Sequence, residues 1–157
     1  LIHDIGKLVI YITLPNEFLK LVKATRHLKL KFMAFETEKR VIGMTHDEVG
    51  MRLLKKWMFP ESLLTAIGFH HRLQETENKS LLPVVVHIAD IFAHLYEMQT
   101  VVEVDDPLKT ETLFPDIIKL AQSYEIEWDE SDLNRLQQSL TESIEKEAVA
   151  FSLFFGN

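Results

Sequence analysis

Apolar residues recur every three to four positions along almost the whole chain, and that period admits little besides α-helix. The last segment shows it most plainly. Leu133, Leu136, Leu140, Ile144, Ala148 and Phe151 share one helical face, and Asp129 stands ahead of them at a capping position. Only five glycines and five prolines interrupt 157 residues. The expected fold is therefore all-α, a compact multi-helix bundle of orthogonal and antiparallel helices.

The punctuation divides the chain into segments. Residues 1–12 read as the end of an apolar helix. Pro15 opens a second, about 15–27, with Phe18, Leu19, Val22 and Leu28 on one face. A third covers about 31–41 and stops at Gly43, a residue suited to the left-handed conformation that ends helices. Thr45 with Glu48 three residues later fits a capping box, followed by "HDEVGMRLLKKWM". Pro60 suits the first turn of "PESLLTAIGFHHRL". The polar "QETENKS" precedes a long apolar helix over about 80–99. "TVVEVDDPLKTET" reads as a loop, then helices cover about 114–124 and 130–152, the last stopped by Gly156.

Composition narrows the functional classes. There is no cysteine, which excludes disulfides and thiolate metal sites. The net charge is −7 with no basic cluster, so nucleic acid is an unlikely partner on electrostatic grounds. The longest apolar run, "LLPVVVHIADIF", is interrupted by His87 and Asp90 and is too short to span a bilayer, so no membrane partner is expected. No signal peptide is visible, and a cytoplasmic location is expected. The chain starts at Leu1 and not at Met, which suggests part of a longer protein.

Seven histidines are many for this length. His3 and Asp4 are adjacent near the start, His46 stands at a helix N-terminus, and His70 and His71 end a helix. Asp90 lies within an otherwise apolar helix, between His87 three residues before and His94 four residues after. A buried carboxylate without a partner is costly, so Asp90 needs a basic side chain, a histidine or a cation beside it. Each of these residues alone fits a hydrogen bond that anchors two helices. Together His3, Asp4, His46, His70, His71 and Asp90 offer the nitrogen and oxygen ligands that Mn, Fe, Ni or Zn accept. Lys7, one turn after His3, is the candidate for stabilising phosphate charge; its plainer role is that of a solvated lysine at a helix end.

"LIHDIGKLVIY", then "FETEKRVIGMTHDEVGMRLLKKWMFPESLLTAIGFHH", then "VVVHIADIFAHL" together resemble the HD superfamily, most closely its HDOD group, the HD-related output domains of bacterial signalling proteins. The resemblance covers about residues 1–95; the remainder is a generic helical tail. It implies a metal set of an upstream His, the His-Asp doublet and a later Asp, of which His3, Asp4 and Asp90 match three. The upstream His has no counterpart, since the chain begins two residues before the doublet. The related HD-GYP phosphodiesterases, which cleave cyclic di-GMP, add ligands matched by His46, His70 and His71. Two departures stand against that activity: Arg72 replaces their Glu after the His pair, and the GYP signature is absent.

The resemblance thus implies one HDOD-like domain over 1–157, the later part of a longer domain or protein. Its leading reading is a non-catalytic output module of a bacterial signalling protein, with a vestigial HD-type pocket and other signalling domains or proteins as partners. The alternatives are a metal-dependent phosphohydrolase acting on a cyclic nucleotide or other phosphoester, and a nucleotide-binding sensor without turnover.

Overall fold

A computed structural model describes residues 2–25, 34–76, 80–100 and 113–155, with side chains except at 97–100 and 148–155. Among them are a short 3-10 turn, Ile2–Asp4, and eight α-helices: α1 Ile5–Thr13, α2 Pro15–Thr25, α3 Phe35–Ile42, α4 His46–Lys56, α5 Glu61–Phe69, α6 Leu81–Thr100, α7 Phe114–Ser123 and α8 Glu130–Phe155. A second 3-10 turn, Leu73–Glu75, follows α5. There is no strand among the described residues, so the all-α reading holds. No helix among them is long and apolar enough to cross a membrane. The chain divides into two units, Leu1–His94 and Leu95–Asn157.

Most helix boundaries follow the local signals. Gly43 adopts φ 89° and its N–H bonds Lys39 O at 3.0 Å, closing α3 in the left-handed conformation that glycine takes without strain. Thr45 and Glu48 form the capping box of α4. Asp129 caps α8: its Oδ1 accepts from Asp132 N at 2.9 Å, and Asp132 Oδ2 accepts from Asp129 N at 3.0 Å. Pro60 lies just ahead of α5, where its carbonyl accepts from Leu63 and Leu64 N–H groups. The link 101–112, the proposed helix stop at Gly156, and residues 26–33 lie outside the described residues.

Two expectations need correction. His3 and Asp4 sit on a 3-10 turn and not within a longer α-helix; such turns are common where an α-helix begins. The inward face of α2 is carried by Leu21, while Leu19 and Val22 are exposed. Phe18, three residues before Leu21, shares that face: it is half-buried with its ring 5.3 Å from that of Tyr11 on α1, while Leu19 and Val22 lie off it.

In the first unit α1 crosses α4, and α4 packs on α5. Leu54, Leu64 and Ile67 form a buried core, flanked by Ile5, Met51 and Phe59. The α1–α4 crossing is unusually close. A Cβ on Gly6 would overlap the His46 carbonyl oxygen and come within 2.9 Å of Gly50 N. Glycine at position 6 therefore lets the turn bearing His3 and Asp4 lie against the start of α4. From α6, Val84, Ile88 and Ile91 are buried at spacings of four and three. In the second unit α7 and α8 pack together, with Phe114, Ile117, Ala121 and Leu133 buried.

Candidate metal centre

All six ligand candidates come together in the first unit. The 3-10 turn supplies His3 and Asp4, the first residue of α4 supplies His46, the turn after α5 supplies His70 and His71, and α6 supplies Asp90. His46, His70 and Asp90 are buried, while His3 and Asp4 are partly open, at 21% and 29% side-chain exposure. The ligand atoms form two groups that share His70: His46, His70 and His71, and His3, Asp4 and His70. Within each group the atoms lie within 4.8 Å of one another.

Hydrogen bonds fix which ring nitrogens face the centre. His70 Nδ1 lies 2.8 Å from Ile67 O, and a carbonyl only accepts, so Nδ1 carries the proton and Nε2 presents a lone pair. That Nε2 is buried without a hydrogen-bond partner, as is His71 Nε2. His46 Nδ1 lies 2.7 and 2.9 Å from the two oxygens of Glu38, so Nδ1 likewise carries a proton. His46 Nε2 is then turned to Asp4 Oδ1 at 3.1 Å, ion-pair distance without hydrogen-bond geometry. Asp4 Oδ1 and Asp90 Oδ2 are buried with no hydrogen-bond partner.

The other oxygens are occupied. Lys7 Nζ donates to Asp4 Oδ2 at 2.8 Å, so the candidate phosphate-facing lysine neutralises the doublet. Asp90 Oδ1 lies 3.2 Å from both His3 Nε2 and His94 Nδ1. This is the partner that a carboxylate in an apolar helix requires. His87, singled out beside Asp90, hydrogen-bonds the His70 backbone and its ring lies 6.2 Å from that of His71.

Burial favours the neutral ring of His46, but its contacts with Asp4 and Glu38 outweigh this and raise its pKa to about 9. Burial dominates at His70 and His71, which fall to about 4 and about 2 and stay neutral at ordinary pH. Burial works to raise the Asp4 carboxyl, yet His46 and Lys7 hold it well below the usual range. At Asp90, His3 and His94 do the same against burial. Without a metal, a protonated His46 thus lies between the Asp4 and Glu38 carboxylates, its Nε2–H facing Asp4 Oδ1, and Lys7 supplies the second positive charge.

This donor set fits a divalent cation. The neutral rings of His70 and His71 converge with carboxylate oxygens, and His70 Nε2, His71 Nε2 and Asp90 Oδ2 have no proton donor facing them. The rings are oriented from behind by an acceptor on the far nitrogen: Glu38 for His46, Ile67 O for His70. Such an acceptor is usual behind metal-bound histidines. Absence of thiolate and the mixed N/O set suit Mn, Fe, Ni or Zn.

Two contributors were missed in the sequence reading. Glu38 is 1% exposed and accepts from both His46 N, at 2.8 Å, and His46 Nδ1. Its signal was available: it falls in helical phase with Ala34 and Ile42, where an apolar residue is expected. Asp47 is also 1% exposed; it contacts Thr45 Oγ1 and accepts from Arg72 Nε at 3.2 Å.

Comparison with known proteins gives two matches. Residues 1–73 match the family model of the HDOD domain, and this segment is an HDOD domain. A protein of Treponema pallidum (strain Nichols), described as an uncharacterized protein, is 29% identical over 87 residues. That stretch covers 54% of this chain but 17% of the relative, so the chain corresponds to a small part of that protein. No solved structure matches.

Proposed function

We propose, with residues 1–73 an HDOD domain, that the chain is a non-catalytic output module of a bacterial cytoplasmic signalling protein. Its His/Asp cluster holds a divalent transition-metal ion that ties the module's helices together. The observation that carries the metal is the set of buried acceptors without donors: His70 Nε2, His71 Nε2 and Asp90 Oδ2. The cluster draws on the 3-10 turn, α4, the turn after α5, and α6, so its occupancy couples four separate segments. Such a coupling suits transmission to a partner domain or protein through helix contacts.

The non-catalytic reading is supported by how the cations and amides near the cluster are engaged. Lys7 Nζ is on Asp4. Arg72 is held by Asp47, Gly68 O and Glu75. At the N-terminus of α4, His46 N is on Glu38 and Glu48 N is on Asp47. Each of these groups already has a protein partner, and the lysine beside the doublet is held on one of its carboxylate oxygens.

The second reading, a metal-dependent phosphohydrolase, is favoured by the two ligand groups that share His70. When bound, divalent ions there would supply Lewis-acid polarisation of a phosphoryl group and an activated water. The two readings separate in an assay with Mn, Fe or Zn added, using a cyclic dinucleotide and an aryl phosphate as substrates. We expect the wild type to hydrolyse neither faster than Asp4→Asn does. A metal-dependent rate that Asp4→Asn abolishes would establish the hydrolase instead.

A further inference from the structure

Arg72 follows the His70-His71 pair directly and stands where the resembling hydrolases carry Glu. Its guanidinium makes a fork of contacts. Nε donates to Asp47 Oδ2 at 3.2 Å, Nη2 to Gly68 O at 2.9 Å and Nη1 to Glu75 Oε2 at 3.0 Å, while Nη1 lies 3.6 Å from Glu48 Oε1. The group also lies over the Phe69 ring, 5.5 Å from its centroid. At the other end Asp47 is anchored in the cap of α4 by Thr45 Oγ1 and Glu48 N.

We infer that Arg72 is a positioning residue: acting through Asp47, it sets the spacing between His46 and the His70-His71 turn, and so the affinity of these three histidines for a divalent cation. Asp47 is covalently next to His46, and Arg72 is next to His71. The Arg72–Asp47 bond therefore runs beside the His46–His71 ring contact, whose centroids are 5.0 Å apart. Arg72 also bonds the last turn of α5 at Gly68 O, which fixes the direction in which the chain leaves that helix. A lysine offers one point charge and cannot hold Asp47, Gly68 O and Glu75 in one plane.

This inference rests on the metal-binding reading and is tested by a quantity that reading alone does not determine. Cobalt(II) is the probe, because its visible absorption reports ligand number and geometry. Affinity is measured by competition with a chelator for wild type, Arg72→Gln, Arg72→Lys, Asp47→Asn and the Arg72→Gln/Asp47→Asn double variant, with helix content followed in parallel. The expected loss for Arg72→Gln is about 10- to 100-fold, the range for residues behind metal ligands, together with an altered absorption spectrum. Asp47→Asn is expected to match it, the double variant to add little, and Arg72→Lys to fall between. Arg72→Gln with wild-type affinity and spectrum overturns the inference, even if its melting temperature falls. If Arg72→Gln does not fold, Arg72→Lys with wild-type affinity and spectrum overturns it. A wild type that binds no cobalt overturns the metal reading, and the positioning role with it. That outcome is distinct from variants that bind as well as a competent wild type.

Discussion

Gly6→Ala is expected to destabilise the first unit by roughly 3 kcal/mol or more, the upper end for forcing atoms into a packed interior. The sign is what makes the result informative. Alanine is favoured over glycine by up to about 1 kcal/mol within helices, so on propensity alone the substitution in the first turn of α1 would be neutral to stabilising. Here the new Cβ meets backbone: the His46 carbonyl oxygen, and Gly50 N at 2.9 Å. Backbone cannot rotate away as a side chain can, so α1 must separate from α4. That separation would move His3 and Asp4 off His46. The melting temperature should fall by more than about 10 °C for a unit of this size. Gly50→Ala is the internal control, because its nearest neighbours are the Ile5 and Ile67 methyl groups at 3.3 Å, which can give. Equal effects at the two positions, or a stabilised Gly6→Ala, would contradict the described crossing.

Glu38→Ala is expected to cost about 3–5 kcal/mol, the range for removing one partner of a buried ion pair. The carboxylate is 1% exposed and accepts from His46 N and His46 Nδ1. Its removal leaves two buried donors without an acceptor and takes away one of the carboxylates that hold the proton on His46. Glu38→Gln keeps one acceptor oxygen and should lose less, on the order of 1–3 kcal/mol. Urea denaturation measures both. A Glu38→Ala midpoint within error of wild type would show that Glu38 does not support His46.

The helices were legible because their signals are local. The capping boxes at Thr45 and Asp129, and the left-handed stop at Gly43, each involve residues within a few positions of one another. Asp90 was legible as a residue in need of a partner because its helix is otherwise apolar, and the partners proved to be His3 and His94. Glu38 was not, because "FETEKR" reads as a solvated charged helix until its phase with Ala34 and Ile42 is counted. The engagement of Lys7 with Asp4, and of Arg72 with Asp47, depends on rotamers and on distant segments, 25 residues apart in the second case. The inward side of α2 was misjudged because several apolar residues compete for it, and only the neighbouring helices decide between Leu21 and Val22.

The most direct measurement is metal content. The purified chain is equilibrated with Zn or Mn, freed of excess ion, and analysed by mass spectrometry of the elements, beside His70→Ala. His70 belongs to both ligand groups, so its loss should empty either arrangement. The account predicts at least about one tightly held ion per wild-type chain. It also predicts a marked loss in a His70→Ala protein that keeps its helical circular dichroism. Wild-type protein that retains no ion, or His70→Ala protein that retains as much, would contradict it.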